Sequence, residues 1–299
     1  MGNMPTFLVI GAARSGTTAL YSYMKQHPEI YMSEHKESNY FTFANEALNC
    51  QGPGADYINN SVTKLDDYRQ LFAGVTNEKA IGEACPLYLY SKEAPKRIHD
   101  LLPNVKVIAI LRNPIEQAFS HFLYAKRQVL EPLDDFASAL KSQQERKQKG
   151  WQPLFQYSQF PKYYNQLRRY YDVFPENQIK VYTYEEFESN PQALMSDIYS
   201  FIGVDAEVST DFSYRPNAGG VPKSRFLQDI VMKPYLITRI VGSLIPEPIK
   251  RRIRDAVSDH NLEKPQLSLE AKEILTAELQ DDILKLQDLL KRDLSSWLQ

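Results

Sequence analysis

Residues Gly11-Ala12-Ala13-Arg14-Ser15-Gly16-Thr17-Thr18 gather small and hydroxylated side chains around one cation. Glycine lets a backbone approach an anion closely, and serine and threonine add hydroxyl donors to the backbone N–H groups. A short, β-rich apolar run, Thr6 to Ile10 (TFLVI), leads into the loop, and a helical pattern, ALYSYMKQHP, leaves it until Pro28. Strand, small-residue loop and helix N-terminus make an anion cradle, because the loop N–H groups and the helix dipole both favour negative charge. The spacing nearly matches G-x-x-x-x-G-K-[ST], but Thr17 stands at the Lys position and the cation is Arg14, three residues earlier. This chemistry suits a phosphate-like group and gives little support to ATP.

A second anion point follows. Val105 to Leu111 (VKVIAIL) reads as another buried strand, running into Arg112-Asn113-Pro114 and a helix from Ile115 to Arg127. In magnesium-dependent P-loop enzymes an Asp usually ends this strand and holds the metal. Arg112 takes that place and recruits an anion instead, with the planar fork needed to grip a phosphate bidentately. Ser120, in the second turn of the helix, adds a hydroxyl donor. Two phosphate points without a Walker Lys or a metal Asp disfavour an ATP-dependent P-loop kinase. They fit a nucleotide with a 5′-diphosphate-like tail and a separate 3′-phosphate.

The elements that must position these residues come from an ordinary globular composition: 299 residues, 43% hydrophobic and 24% charged, with a formal charge of −2. That excludes a disordered chain, and the lack of a global basic field excludes nucleic acid as the expected partner. Cys50 and Cys85 lack metal-ligand spacing and suit a reducing, cytoplasmic setting; no metal is expected. No segment reaches the roughly 20 apolar residues of a membrane span. The start, MGNMPTFLVIGAARSG, lacks the basic region of a secretory leader. Without a Pro/Gly-rich linker or repeat, residues 1–299 read as one domain. The expected fold is α/β, a P-loop NTPase-like three-layer α/β/α arrangement around a central parallel sheet.

Asp134 to Gly150 reads as a solvated polar helix, and Ser268 to Leu290 as a helix burying Leu275, Leu279, Ile283, Leu286 and Leu290. Tyr157, Phe160, Tyr163 and Tyr164 read as core, with stacking on a sugar ring as the second reading. Lys233 to Val257 reads as a packed amphipathic helix, with peripheral contact to an anionic membrane second.

Taken together, the motifs resemble the sulfotransferase family that uses 3′-phosphoadenosine 5′-phosphosulfate (PAPS). GAARSGTT resembles its 5′-phosphosulfate loop and LRNPIEQAFSHF its 3′-phosphate motif. Lys36-Glu37-Ser38-Asn39-Tyr40-Phe41 and Gly82-Glu83-Ala84-Cys85-Pro86-Leu87-Tyr88-Leu89 are similar to elements of the carbohydrate and heparan-type branch. FPENQIKVYTYEEFESNP (174–191) resembles the late strand and loop, and Arg292-Asp293-Leu294-Ser295-Ser296-Trp297 the usual ending.

The resemblance implies that Arg14, Ser15, Gly16, Thr17 and Thr18 bind the 5′-phosphosulfate, and Arg112 and Ser120 the 3′-phosphate. It further implies that Lys223 or Arg225, in the NAGGVPKSR turn, closes over that phosphate. Glu37 is the candidate base, Lys36 and Arg14 the candidates for stabilising the leaving oxygen, and Glu83 a second acid for orienting the acceptor. Two departures stand out: Arg14 replaces a frequent Lys, and Ala84 follows Glu83 where the heparan-type branch commonly has Lys. The acceptor-side cation is therefore either missing or supplied by Lys36. His35 has no motif match. The implied activity is sulfuryl transfer to a hydroxyl or amine on a carbohydrate, glycolipid or small molecule, leaving 3′,5′-adenosine bisphosphate (PAP). The non-enzymatic alternative is a nucleotide- or carbohydrate-binding module.

Overall fold

Short runs of branched apolar residues pair into one parallel sheet: β1 (Phe7–Gly11), β2 (Ile30–Met32), β3 (Ala80–Ala84), β4 (Lys106–Leu111) and β5 (Ile179–Thr183). The strand order is β2-β3-β1-β4-β5. The computed structural model describes residues 3–213 and 265–299, together with a two-stranded antiparallel pairing of 221–222 with 262–263. Lys223, Arg225 and the expected amphipathic helix at 233–257 lie outside the described residues.

The apolar runs are continuous because both sheet faces are covered. Leu8, Ile10, Val107, Ala109 and Leu111 point into one core; Phe7, Val9, Ile108 and Ile110 point into the other. The first core packs under the Pro114–Arg127, Tyr163–Tyr171 and Leu269–Leu290 helices, and the second under Thr17–Met24 and Pro191–Ile202. Gly82 in β3 is obligatory, since a Cβ there would lie 2.1 Å from the Phe7 ring. Among the described residues, no helix is long and apolar enough to cross a membrane.

Leu275, Leu279, Ile283 and Leu286 are buried as their spacing predicts, while Leu290 is only half-buried as the helix ends. Asp134 to Gly150 differs from expectation. It forms two short helices, Phe136–Lys141 and Gln143–Gln148, and Arg146 is buried rather than solvated. The reason is Glu131, fully buried, whose two oxygens accept from Arg146 Nη1 and Nη2 at 2.7 Å each. Trp151 and Phe155 flank the same guanidinium at 5.0 and 5.2 Å. Tyr157, Phe160 and Tyr163 are core residues as read; Tyr164 is half-buried. In the tail, Arg292 pairs with Glu186 at 3.0 Å and Trp297 Nε1 donates to Glu185 at 3.1 Å, tying the last turn to the segment after β5.

Candidate active site

β1 and β4 are parallel neighbours, so the loop after Gly11 and the turn at Arg112 leave the sheet side by side. Connections diverge to opposite sides of β1 here, which is where open parallel sheets bind ligands. Gly16 caps the Thr17–Met24 helix at φ 89°, and no side chain caps that N-terminus, so its first N–H groups are left for an anion. A Cβ on Gly16 would also meet the Phe187 ring at 3.1 Å. Ser15 is fully buried, its hydroxyl 3.5 Å from the Ala13 carbonyl.

One face of the Pro114–Arg127 helix supports this loop. Asn113 caps the helix, its side chain accepting from the N–H groups of Ile115 and Glu116. Gln117 Nε2 donates to the Ala13 carbonyl at 2.9 Å, Ser120 Oγ accepts from Arg14 Nε at 3.4 Å, and Tyr124 lies 4.8 Å under the Arg14 guanidinium. Positions 117, 120, 121 and 124 share a face at helical spacing.

The cations are gathered closely. Burial lowers the Arg14 pKa, and the like charges of Arg112 and Arg127 lower it further. Such crowding favours a bound anion. Arg112 donates through Nε (3.1 Å) and Nη2 (2.9 Å) to Glu116 Oε2 and lies 4.9 Å over the Tyr184 ring. The Glu116 side chain is 59% exposed, so this pair is worth only about 0–1 kcal/mol and a phosphate can displace it.

Two carboxylates lie near the end of β3 in opposite settings. Glu37, at φ 65°, is fixed by its N–H donating to the Ala84 carbonyl at 3.0 Å. Its oxygens engage the Lys36 ammonium and the Tyr57 hydroxyl. Although much of Tyr57 is exposed, desolvation and the Glu37 carboxylate raise the pKa of its phenol. Glu83 is fully buried and accepts from the hydroxyls of Ser38 (2.5 Å), Tyr68 (2.7 Å) and Tyr88 (3.0 Å). Burial raises its pKa against those donors. This corrects its reading as an acceptor-orienting acid: Glu83 does not line the cavity described next, and its oxygens are already engaged inside the protein.

A cavity of about 450 Å³ joins the loop to Glu37, lined at that end by Ala13, Arg14, Thr17, Thr18 and Glu37. Its other walls are largely apolar, with Tyr57, Ile58, Leu87, Tyr124, Leu154 and Phe160, and carry Gln128, His121 and Gln152 as polar groups. The fold thus brings Arg14, Thr17, Thr18 and Glu37 into one cavity, with Ser120 bonded to Arg14 and Lys36 bonded to Glu37. His35 is exposed. Sequence reasoning missed His121 and Tyr124, which helical spacing from Ser120 and Gln117 would have flagged. It also missed Tyr57, Gln152 and Tyr184, which arrive from distant segments and carry no local signal.

A family model described as a sulfotransferase domain matches residues 4–215. The chain is 26% identical over 302 residues to the bifunctional heparan sulfate N-deacetylase/N-sulfotransferase 1 of Mus musculus, covering 93% of this chain and 31% of that protein. It spans between 22% and 31% of the length of the curated relatives it matches. The crystal structure of a sulfotransferase from Alicyclobacillus acidocaldarius is 29% identical with a TM-score of 0.78, covering 99% of this chain and 100% of that one. A mouse sulfotransferase, SULT7A1 complexed with PAP, shares the fold at 11% identity and a TM-score of 0.50, over 94% of this chain and 85% of that one. The fold class is the expected P-loop NTPase-like α/β/α arrangement.

Proposed function

The chain belongs to the sulfotransferase family, and from that premise we propose that it transfers the sulfuryl group of PAPS to a hydroxyl or amine, on a carbohydrate or glycolipid first and a small molecule second. The observation that carries this reading is the single cavity shared by Arg14, Thr17, Thr18 and the Glu37 carboxylate. The loop N–H groups, Ser15, Gly16, Thr17 and Thr18 bind the 5′-phosphosulfate; Arg112 and Ser120 take the 3′-phosphate, and Lys223 or Arg225 is assigned to it as a further ligand. Glu37 accepts the proton of the acceptor as the new bond to sulfur forms and the bond from sulfur to the 5′-phosphate oxygen breaks. Arg14 stabilises the charge developing on that oxygen, and Lys36, paired with Glu37, is the second cation assigned to it. A sulfuryl group carries one negative charge, so these cations suffice without a metal. The same reading takes residues 1–299 as one domain at work in the cytoplasm, a setting that free Cys50 and Cys85 suit.

The test is calorimetric titration with PAP beside ADP and magnesium-ATP. Tight, metal-independent binding of PAP is expected, weakened about 10- to 100-fold in Arg112→Ala through loss of charge-assisted bonds. Preference for magnesium-ATP would overturn the reading in favour of a kinase.

A further inference from the structure

Two residues that line the acceptor end of the cavity each carry a buried polar atom that nothing among the described residues satisfies: His121 its Nδ1 and Gln152 its Oε1. Both residues line the cavity, yet His121 is only 3% exposed and Gln152 fully buried. Buried polar groups nearly always have partners, so two orphans on one cavity point to a ligand that supplies them.

Their chemistry restricts that ligand. Gln152 Nε2 donates to the Pro53 carbonyl at 2.6 Å, and a carbonyl only accepts, which fixes the other atom of the amide as oxygen. The group that meets Gln152 Oε1 must therefore donate: a hydroxyl or an amine N–H, never an ether or ester oxygen. His121 packs edge-on against Phe160 and Tyr157, with ring centroids at 4.7 and 5.8 Å. Burial and the nearby Arg14 cation lower its pKa to about 3, so the ring is neutral and offers one donor and one acceptor. An amide oxygen offers a carboxylate no donor, and the neutral imidazole brings no charge of its own to pair with one. Among the described lining residues, the charged groups are Arg14 and Glu37, both at the reacting end. The remaining walls, with Tyr57, Tyr124 and Phe160, suit the C–H face of a ring.

We propose that His121 and Gln152 are the acceptor-reading pair of this enzyme, hydrogen-bonding hydroxyls other than the one sulfated. The acceptor is then an uncharged, polyhydroxylated ring with an apolar face, that is, a neutral sugar glycoside. This rests on the sulfotransferase reading above and narrows its acceptor class. Both are positioning residues; neither exchanges a proton with the reacting group.

The experiment titrates the full chain, saturated with PAP, with n-octyl β-D-glucoside below its micellar concentration, with 1-octanol, and with n-octyl β-D-glucuronide. The glucoside is expected to bind at least about tenfold more tightly than the alcohol, the scale of one well-made hydrogen bond. The glucuronide, the same ring carrying a carboxylate, is expected to bind more weakly than the glucoside. Gln152→Met and His121→Phe should each weaken glucoside binding about tenfold without changing the PAP titration, and His121→Asn, which keeps a polar atom near the Nδ1 position, should recover part of it. The proposal is overturned if the alcohol or the glucuronide binds as well as the glucoside, if PAP-loaded protein binds none of the three, or if both removals leave glucoside affinity unchanged. Failure of PAP itself to bind is a separate result that overturns the donor reading and this one with it.

Discussion

The proposed donor end and the proposed acceptor end of the cavity are built by different means. The donor end is one contiguous loop, residues 11–18, fixed through its backbone groups: Ala12 N–H donates to the Ile110 carbonyl at 2.6 Å, and the Gln117 side chain holds the Ala13 carbonyl. The acceptor end is assembled from residues 54–58, 86–87, 121–130 and 152–160. Its position depends on side chains, chiefly the buried Glu131–Arg146 pair and the Tyr157 hydroxyl that donates to Glu131 at 2.6 Å. Backbone donors on a rigid strand suit a phosphate group shared by every turnover. Side chains on helices and connecting segments outside the sheet suit an acceptor, because they can be exchanged without disturbing the sheet.

The strongest break in this comparison comes at the junction, where Glu37 and Glu83 form a reciprocal pair. Glu37→Gln is expected to lower kcat by roughly 10²- to 10⁴-fold, the usual worth of a general base, with the PAP titration and the melting curve unchanged. A non-catalytic binding module would show no such loss. Glu83→Gln should do the reverse: replacing an acceptor oxygen with a donor inside a cage of three hydroxyls costs about 1–3 kcal/mol of stability, with kcat per folded molecule retained. If both substitutions lowered kcat equally, the division between a reacting and a structural carboxylate would fail.

The next largest effect falls on the acceptor end alone. Arg146→Met leaves the Glu131 carboxylate buried without its cation and is expected to cost about 3–5 kcal/mol in urea denaturation. Adding Glu131→Leu should restore much of this, since a buried ion pair is readily replaced by apolar packing. PAP affinity of the folded fraction should be unchanged in both, because the donor loop is held by Ile110 and Gln117 rather than by the Glu131–Arg146 pair. A parallel loss of PAP binding would show that the two ends are not independently supported.

The same contrast explains what could be read from sequence. Two strands, Phe7–Gly11 and Lys106–Leu111, are legible because both faces of the sheet are buried and they appear as unbroken apolar runs, whereas Ile30–Met32 and Ala80–Ala84 are too short or too small-residue to show as such. The proposed phosphate loop is legible because its candidate donors lie within eight consecutive residues, 11–18. Glu83 reads from sequence as a site acid because Ser38, Tyr68 and Tyr88, which enclose it, are separated in sequence and carry no pattern pointing to one carboxylate. Residues Asp134 to Gly150 look solvated for a related reason: nothing local shows that Arg146 turns inward to Glu131. Gln152 is invisible on the same grounds, since its partner Pro53 lies in a separate segment.

The smallest effect separates the two ends by pH. His121 has a pKa of about 3 in the folded protein, against about 6.5 when unfolded. Between those values the unfolded chain binds a proton that the folded chain excludes, so acid favours unfolding. This contribution is fully present above about pH 6.5 and declines below it at up to about 1.4 kcal/mol per pH unit. Comparing urea denaturation at about pH 7.5 and 5.5, the wild type should lose about 1.4 kcal/mol more stability than His121→Phe. Glu83 contributes with the opposite sign: its raised pKa lets the folded state hold a proton more readily, so its share of stability falls as pH rises, and Glu83→Gln should remove that trend. Because the His121 ring is already neutral in the folded protein, glucoside affinity of the PAP-loaded enzyme should stay flat on its account from about pH 5 to 8, even as global stability declines. A glucoside affinity that falls through pH 6.5 in the wild type but not in His121→Phe would mean that the ring takes up a proton in the bound state, and the acceptor end would then be a charged site after all.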